Sequence, residues 1–308
     1  MSRPILTFGS INMDLVARVP KLPKPGETLT GYSFTTVPGG KGANQAVAVA
    51  KLGGASQMIG RVGNDAFGQE LRTSLETAGV EIDRVAIDHS APSGVAMIAV
   101  DNQGENHIIV IPGTNHKVDH ADLDRLTLTR ASILLLQLEI PCSIVQAAAK
   151  TAKTMGSTVI LDPAPAPAAF PDELYRDIDI LTPNTTEAEQ LVGFAIQHLA
   201  DAERAAEVLQ TKGTKIVIIK MGAQGAYCAT QYDRFFTPAF LVNAIDTVAA
   251  GDAFNAGLAV ALAEGHPIRE AVRWGAASGA LSTTKTGAQS SLCDRATFDT
   301  FLLSQTKP

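Results

Sequence analysis

An acidic residue at the start of an apolar helix is the strongest candidate for chemistry in this sequence. The small residues Ala249, Ala250 and Gly251 precede Asp252, and an apolar run from Ala253 to Ala263 follows it. The unpaired N–H groups at a helix N-terminus attract anions, and small residues let a phosphate approach them. A carboxylate beside that phosphate could take the proton of an attacking hydroxyl. The pattern therefore indicates phosphoryl transfer, with a purely capping role for Asp252 as the open alternative.

Polar residues also fall where apolar strands are predicted to end and where a helix is predicted to begin. Asn12 and Asp14 follow an apolar run, and their spacing of two puts them on one face of an extended chain. Lys41 and Asn44 lie in the glycine-rich opening of a helix, and Glu139 follows a second apolar run. Amides, carboxylates and lysine each bind one or two hydroxyls, so this set would suit a polyol. The alternative for each residue alone is ordinary turn chemistry.

Two later segments could line a nucleotide site, although each has a structural alternative. Asn184 and Glu187 follow a predicted strand, where Asn184 would lie near phosphates and Glu187 near the water shell of Mg²⁺, which takes few protein ligands. The same spacing is a capping box at a helix start, and the two roles are compatible. The segment 220–225 has two glycines three apart, which would suit close passage of a nucleotide. Taken alone, it is more typical of a hairpin turn.

Alternating helices and fully apolar strands must position these residues. This pattern predicts a large three-layer α/β/α domain with a mostly parallel sheet, in which ligands bind beyond the carboxyl ends of the strands. Two inserted segments, about 13–38 and 93–112, predict a small β-sheet lid, so that the chain forms a single domain over 1–308. The predicted strands are 5–9, 57–62, 94–100, 106–111, 133–138, 158–161, 178–181, 216–219 and 235–243, and the predicted helices are 43–52, 66–78, 119–130, 141–155, 201–212, 253–263, 268–282 and 294–303, with another from 185.

Composition limits the functional classes. Hydrophobic residues make up 45% of the 308 residues and charged residues 18%, which is typical of a globular protein with a large core. The formal net charge of −6 argues against general binding to nucleic acid or to anionic membranes, so any phosphate site must be local. Three cysteines without a C-x-x-C pair, and no apparent signal peptide or bilayer-spanning run, predict a cytoplasmic location. The sequence has no P-loop, no dinucleotide fingerprint after the first strand and no nucleophile-elbow serine.

Four motifs, in chain order, resemble those of the ribokinase family of sugar kinases. They are Gly9-Ser10-Ile11-Asn12-Met13-Asp14, Gly39-Gly40-Lys41-Gly42-Ala43-Asn44, Asn184-Thr185-Thr186-Glu187 and Asp246-Thr247-Val248-Ala249-Ala250-Gly251-Asp252. The resemblance runs from about residue 4 to residue 302. It implies a ribokinase-like fold and ATP-dependent phosphorylation of D-ribose at O5, with Mg²⁺ and a monovalent cation, usually K⁺. Other small-sugar kinases of the family, acting on deoxyribose, fructose or a nucleoside, remain alternatives.

Carried over position by position, the resemblance implies a role for each matching residue. Asp252 would be the base on the sugar hydroxyl, and the anion hole would consist of Ala249, Ala250 and Gly251. The residues that would hold the sugar, together with Asp252, are Asn12, Asp14, Gly40, Lys41, Asn44 and Glu139. The residues that would line the ATP site are Asn184, Lys220, Gly222, Gly225 and Gly251, with Glu187 near Mg²⁺. The monovalent cation would be bound, mostly through backbone carbonyls, by Asp246, Val248, Ser282, Lys285, Gly287 and Ser291.

The resemblance also implies a homodimer partner, and this sequence departs from the family at two positions. Family members often form homodimers by clasping their lids, which would cover the exposed edges of the small sheet. Ala276 stands where many members have Asn or His near the nucleotide, which puts one adenine contact in question. Lys220 stands where some members have Thr, and its charge could pair with a phosphate or lie on the surface. A non-catalytic sugar-binding regulator is disfavoured because base, anion-hole loop and Mg²⁺ motif are all present, and a nicotinamide oxidoreductase is disfavoured because its fingerprint is absent.

Overall fold

Short apolar strands alternate with amphipathic helices along most of the chain. The structure is a computed structural model that describes residues 3–130 and 132–305. Its strands are β1 (Ile5–Phe8), β2 (Asn12–Arg18), β3 (Ser33–Gly39), β4 (Ser56–Gly63), β5 (Glu81–Asp88), β6 (Gly94–Val100), β7 (Asn106–Ile111), β8 (Ile133–Leu136), β9 (Thr158–Leu161), β10 (Ile180–Leu181), β11 (Ile216–Lys220), β12 (Gly225–Ala229) and β13 (Arg234–Pro238). Its α-helices are α1 (Lys41–Lys51), α2 (Ala66–Thr77), α3 (His120–Leu123), α4 (Cys142–Thr154), α5 (Asp172–Asp177), α6 (Thr185–Val192), α7 (Leu199–Thr211), α8 (Ala250–Ala263), α9 (Ile268–Ser282) and α10 (Arg295–Ser304).

Nine of these strands form the central sheet, in the order β13-β12-β11-β10-β9-β8-β1-β4-β5. The strands from β11 through β1 to β5 pair in parallel, and β12 and β13 add an antiparallel edge. Because parallel strands run the same way, β1, β8, β9, β10 and β11 all end at one edge of the sheet. The prediction of a mostly parallel α/β sheet is confirmed.

Both faces of the central sheet are buried, as expected for parallel strands that are apolar throughout. Alternate residues of β8 enter two separate apolar clusters: Ile133 and Leu135 pack in one, and Leu134 and Leu136 pack in the other. The first cluster is completed by α1, α8 and α9, and the second by α4 and α7. This division is the α/β/α layering predicted from the sequence.

A separate four-stranded sheet has the order β3-β2-β6-β7. In it β2 and β6 are parallel, and the other two pairs are antiparallel. Its outer part carries apolar side chains in contact with solvent, among them Phe34 at 64% exposure and Ile109 at 61%. The chain passes from β1 in the large sheet to β2 in the small sheet through only residues 9–11, so the two sheets meet at Asn12.

The start of α1 lies directly against the carboxyl end of β1 and the first residue of β2. A Cβ on Gly42 would lie 2.7 Å from backbone atoms of Gly9 and Ser10, and one on Gly40 would lie 2.7 Å from the backbone N of Asn12. Gly40 also has φ of 87°, a conformation that favours glycine. The glycines of this loop therefore bring Lys41 and Asn44 close to the polar end of the central sheet.

Several predicted element boundaries were wrong. The helix predicted over 119–130 is the single turn α3, because a capping box of Asp119 and Asp122 starts it and no apolar helical face follows. The strand predicted over 235–243 ends at Pro238, and the strand predicted over 178–181 contains only Ile180 and Leu181. The edge strand β5 and the short helix α5 were not predicted, since β5 is polar at alternate positions and is covered on one face only. Within the described parts of the chain, none of the helices combines the length and apolar character that a bilayer crossing needs.

Candidate active site

Helix α8 begins without a side-chain cap. Its N-cap residue is Ala249, which has a left-handed backbone (φ 60°) and is the only non-glycine residue with positive φ in the described ranges. The N–H of Ala250 donates to Thr247 O at 3.2 Å, but those of Gly251 and Asp252 have no acceptor among the described residues. Asp252 is the third helical residue, so its alternative role as the cap is wrong. The two free N–H groups lie at the positive end of the helix dipole, where an anion is stabilised.

The Asp252 carboxylate is held by two side-chain amides of α1. Asn44 Nδ2 donates to Oδ2 at 3.0 Å, and Gln45 Nε2 donates to Oδ1 at 3.1 Å. Burial raises the pKa of Asp252 to about 6; the charge of Asp162 adds to this rise, while Lys41 and the two amides oppose it. Asp252 is 5% exposed, yet it is mostly ionised at neutral pH. A buried, oriented carboxylate of this pKa is suited to accept a proton from a hydroxyl.

A chain of hydrogen bonds extends from Asp252 to the strand β11. Gln137 Nε2 donates to Gln45 Oε1 at 2.6 Å, which fixes the Gln45 amide so that its Nε2 reaches Asp252 and also Asp162, at 3.4 Å. Asp162 Oδ1 in turn accepts from Lys220 Nζ at 2.9 Å. These groups are almost inaccessible to solvent, since Asp162 is 3% exposed and the Lys220 side chain 13%. The network joins the ends of β8, β9 and β11 to α1 and α8.

The predicted sugar-binding residues gather at the junction of the two sheets. Asn12 is buried, and its Oδ1 accepts from Asn115 Nδ2 at 2.6 Å. Glu139 Oε2 accepts from the Ser10 hydroxyl at 2.5 Å and from the backbone N–H of Lys41 at 3.1 Å. The Asp14 carboxyl faces Gly39 so closely that a Cβ there would lie 2.3 Å from Oδ2.

The charges at this junction interact strongly. Burial, together with the charges of Glu139 and Asp252, raises the pKa of Asp14 to about 7. Burial alone would lower the pKa of Lys41, but the nearby carboxylates, led by Asp252 and Asp162, outweigh it and raise the pKa above its usual value. Lys41 therefore stays charged and partly neutralises a cluster of buried acids.

The predicted nucleotide residues lie at the ends of β10 and β11. Asn184 and Glu187 form a complete capping box at the start of α6, because Asn184 Oδ1 accepts from Glu187 N at 2.8 Å and Glu187 Oε2 from Asn184 N at 2.8 Å. Burial and the charge of Asp162 raise the pKa of Glu187, while Lys220 opposes this. Asn184 and Lys220 are linked as bridge partners, with Lys220 N donating to Pro183 O at 2.9 Å.

The glycines after β11 form the turn of the predicted hairpin into β12. Gly222 has φ of 56° and is exposed, with open space where a Cβ would stand. Gly225 has φ of 130°, and a Cβ there would lie 2.1 Å from Thr237 O. Gly225 is thus explained by strand pairing, whereas Gly222 leaves free space beside the turn. Ala276 lies on α9, half-buried against the core that α8 also contacts.

The predicted cation residues fall in two loops that Asp246 holds together. Its Oδ1 accepts from Val248 N at 3.0 Å, and its Oδ2 accepts from Gly287 N at 2.9 Å. Ile245 N also donates to Thr283 O, at 2.7 Å, so the segment before α8 is pinned to the segment after α9. The remaining predicted residues are Ser282, the last residue of α9, and Lys285 and Ser291 in the segment after it; Ser282 and Ser291 are fully buried.

Four residues of this site were not predicted as functional: Gln45, Asp162, Gln137 and Asn115. Asp162 directly follows the apolar strand β9, so the positional rule that found Glu139 could have found it, whereas Gln137 was hidden inside the strand predicted over 133–138, which ends at Leu136. Asn115 lies in a short 3-10 helix (Gly113–Lys117) that is distant in sequence, and its amide bonds to Ile11 N at 2.9 Å and Ile11 O at 3.1 Å depend on tertiary packing alone. No local pattern marks such a residue.

Comparisons with known proteins agree with this geometry. Residues 2–295 match the pfkB family carbohydrate kinases. The chain is 40% identical to a ribokinase of Haemophilus influenzae, over 96% of this chain and 97% of the relative, and 35% identical to a deoxyribokinase of Salmonella typhi, over 97% and 98%. Its fold superposes with a TM-score of 0.90 on an Arabidopsis thaliana ribokinase that was solved with ribose and ATP, at 35% identity over 98% of this chain and 99% of that one.

Both the sequence and the fold match over nearly the full length of these relatives. The protein is a phosphotransferase that acts on a sugar hydroxyl. It belongs to the pfkB family of carbohydrate kinases, within which its relatives include ribokinases.

Proposed function

We propose that this protein phosphorylates D-ribose at O5 with ATP as phosphoryl donor. The observation that carries the proposal is Asp252, a buried carboxylate held by Asn44 and Gln45 and placed beside the free N–H groups at the start of α8. Support for ribose comes from the relatives named ribokinase and from the related structure solved with ribose and ATP.

The proposed mechanism uses the base and the helix start together. Asp252 accepts the proton of the sugar hydroxyl as its oxygen attacks the terminal phosphorus of ATP, and the bond to the leaving ADP oxygen breaks. The N–H groups of Gly251 and Asp252, with the loop of Ala249 and Ala250, stabilise the transferring phosphoryl group. Asn44 Oδ1 is buried without a partner among the described residues, so a sugar hydroxyl beside Asp252 can donate to it.

The remaining sugar contacts follow from the junction of the two sheets. In the proposal Asn12, Asp14, Gly40, Lys41 and Glu139 bind the other hydroxyls, and the small sheet acts as the lid of a single kinase domain. Asp14 lies on β2 of that sheet, so a lid that closes carries its own sugar contact. ATP binds along the ends of β10 and β11, where Asn184, Lys220 and Gly222 lie and Gly225 shapes the turn. A cytosolic location is part of the proposal, because the three cysteines are free thiols.

The residues present fit a Mg²⁺ ion that is held mainly by the ATP phosphates. Both Glu187 oxygens already accept hydrogen bonds from Asn184, so Glu187 would hold the metal through water. The mutual repulsion of Asp162 and Glu187, seen in the raised pKa of Glu187, is what a nearby divalent cation would relieve. Bound there, Mg²⁺ would neutralise charge on the ATP phosphates.

The two loops joined by Asp246 fit a monovalent cation. The backbone carbonyls of Asp246, Val248, Lys285, Gly287 and Ser291 accept no hydrogen bond from the described residues, so they are available as oxygen ligands. The carboxylate of Asp246 is occupied by two N–H groups, which indicates that it shapes the loops rather than coordinating with its side chain. Because this segment leads directly into Ala249, a bound K⁺ would steady the anion hole without touching substrate.

The first prediction concerns the base. We expect Asp252→Asn to lower kcat about 10²-fold or more, because the amide cannot accept the hydroxyl proton. The wild-type kcat/KM should fall as the pH drops towards about 6, where Asp252 becomes protonated. A coupled ATP assay with ribose, deoxyribose, fructose and nucleosides measures both the rate and the sugar.

Exposed Glu76 on α2 offers the matched control, and Glu76→Ala should keep the wild-type rate. Near-normal turnover by folded Asp252→Asn would contradict the assigned mechanism. Absence of ATP consumption with every sugar would favour a non-catalytic sugar-binding regulator, and a clear preference for deoxyribose would move the assignment to that relative's activity.

The second prediction concerns the stability cost of Asp14. Since the folded-state pKa is about 7 and the ordinary value is 3.8, the unfolded chain releases its proton first, and wild-type stability is lost as the pH rises through this window. At pH 8, Asp14→Asn should therefore unfold at a higher urea concentration than wild type, and its free energy of unfolding should be larger by roughly 2 kcal/mol. This is about half of the free energy to which the full pKa shift converts, because water reaches this half-buried carboxyl. This gain in stability should shrink as the pH is lowered towards 4. The variant should also have a higher KM for the sugar than wild type.

Asp294→Asn provides the contrast, because the backbone N–H and the side-chain hydroxyl of Thr297 lower the pKa of this exposed helix-capping carboxyl. That variant should gain no stability at pH 8. Equal stability of wild type and Asp14→Asn at both pH values would show that the Asp14 charge is not strained by the fold.

The third prediction concerns the cation. We expect kcat to be higher in K⁺ than in tetramethylammonium at equal ionic strength, by between about 5-fold and 150-fold, the usual range of coupling between sites. Asp246→Asn should reduce this difference, because one of the two loop contacts is lost, whereas Asp294→Asn should retain it. Equal rates in the two salts would remove the cation site from the proposal.

The fourth prediction concerns a homodimer formed through the small sheet. The register places Phe34, Met97 and Ile109 on one face, and all three are exposed. Exposed apolar patches of this kind mark interaction surfaces, and a second copy would cover them. Light scattering at micromolar concentration should give twice the chain mass, and Ile109→Glu should give a monomer. The equally charged Tyr232→Glu, at a loop site that is 90% exposed, should remain dimeric; a monomeric wild type would exclude the lid dimer.

A further inference from the structure

An ion pair is buried in the cleft beside the start of α8. Lys220 Nζ lies 2.9 Å from Asp162 Oδ1, with side-chain exposures of 13% and 3%. Removing two charges from water is unfavourable for each ion, and their attraction often does no more than offset this cost. A pair in this position is therefore poorly explained by stability alone.

The ammonium group of this pair points to the proposed anion hole. Lys220 is the last residue of β11, and a Cβ built on Gly251 would lie 3.3 Å from its Nζ. Among the residues that the structure describes, only Asp162 accepts a hydrogen bond from Lys220 Nζ, so two of the three N–H groups of the ammonium remain available. An anion bound at the N–H groups of Gly251 and Asp252 would thus meet a positive charge from the side of β11.

Gln45 connects this pair to the base. Its Nε2 donates to Asp252 Oδ1 at 3.1 Å and approaches Asp162 Oδ2 at 3.4 Å, while its Oε1 accepts from Gln137. One amide, fixed at its other end, thus sets the distance between the two carboxylates. The position of Lys220, which Asp162 holds, is thereby fixed relative to the Asp252 carboxylate.

Building on the proposed function, we propose that Lys220 is a further catalytic residue, which donates hydrogen bonds from its ammonium group to the transferring phosphoryl group, and that Asp162 is the positioning residue that holds this ammonium group at the anion hole. In the proposed step the charge on the phosphoryl oxygens is shared between the N–H groups of α8 and Nζ, and the proton of the sugar hydroxyl still goes to Asp252. The alternative for Lys220, a surface lysine, does not fit its burial and its contacts.

The test compares Lys220→Met with the double variant Lys220→Met, Asp162→Asn. The single variant leaves Asp162 buried without its partner and could unfold, whereas the double variant removes both charges and keeps similar side-chain volumes. We expect the double variant to fold, as judged by urea unfolding, and to lose about 10²-fold in kcat, the usual effect of removing one donor to a transition-state oxyanion. Its loss should equal that of Lys220→Met where the latter folds, because Asp162 acts through Lys220.

Asp162→Asn alone gives a readout that a merely structural pair would not. Asp252 is surrounded by Lys41 of α1, Asp14 of β2 and Asp162, so loss of the Asp162 charge should shift the acid limb of kcat/KM to lower pH. Its kcat should also fall, by less than that of Lys220→Met, because the amide still accepts from Nζ but no longer attracts it as a charge.

Lys215, whose exposed ammonium group lies 2.7 Å from half-buried Asp179 near the other end of β11, is the matched control, and Lys215→Met should keep the wild-type kcat. A double variant that folds and turns over at the wild-type rate overturns the proposal, as does a rise in the KM for ATP with kcat unchanged, since this indicates ground-state binding only. Failure of the double variant to fold would make the pair a structural element and overturn it equally. A wild-type enzyme that phosphorylates no sugar would instead refute the proposed function.

Discussion

The need to keep the Asp252 carboxylate ionised in a cleft that solvent hardly reaches constrains the rest of this structure. Asp252 is buried, and Asp14, Asp162 and Glu139 lie close enough for their charges to matter. An unpaired buried carboxylate would take up a proton, because burial penalises its charged form. At Asp252 the fold opposes this with a few donors placed at the carboxyl edge of the sheet: the amides of Asn44 and Gln45 and the ammonium group of Lys41.

The architecture supplies these donors from elements that are far apart in sequence. Five parallel strands end at the same edge, and helices α1 and α8 begin there. The apolar clusters on the two faces of the sheet fix the strands, and glycines such as Gly42 let α1 approach without a gap. The accuracy of the site therefore rests on the packing of apolar residues that take no part in chemistry.

The large features of the fold were predictable because they follow from local patterns. Apolar runs such as 133–136 are too short for a typical helix and favour strands buried on both faces, and the small residues before Asp252 mark a helix start that an anion can approach. What failed was decided by tertiary context: the polar strand β5 needs β4 as a neighbour, and residues 124–130 lacked an apolar face to bury as a helix. Within the site, Asp252 and Asn44 were accessible from motifs, whereas the role of Asp162 depends on a lysine 58 residues later in the chain.

The left-handed conformation of Ala249 has a consequence for conformational entropy. A glycine would adopt φ of 60° without strain, but it would also give the unfolded chain, and the loop itself, more conformations to lose. Alanine accepts a cost of about 1 to 2 kcal/mol in backbone strain, and it leaves this loop fewer alternative backbone conformations than a glycine would. In the proposed mechanism the start of α8 binds the transferring phosphoryl group, so order that is already present in the free protein would not have to be created in each catalytic cycle.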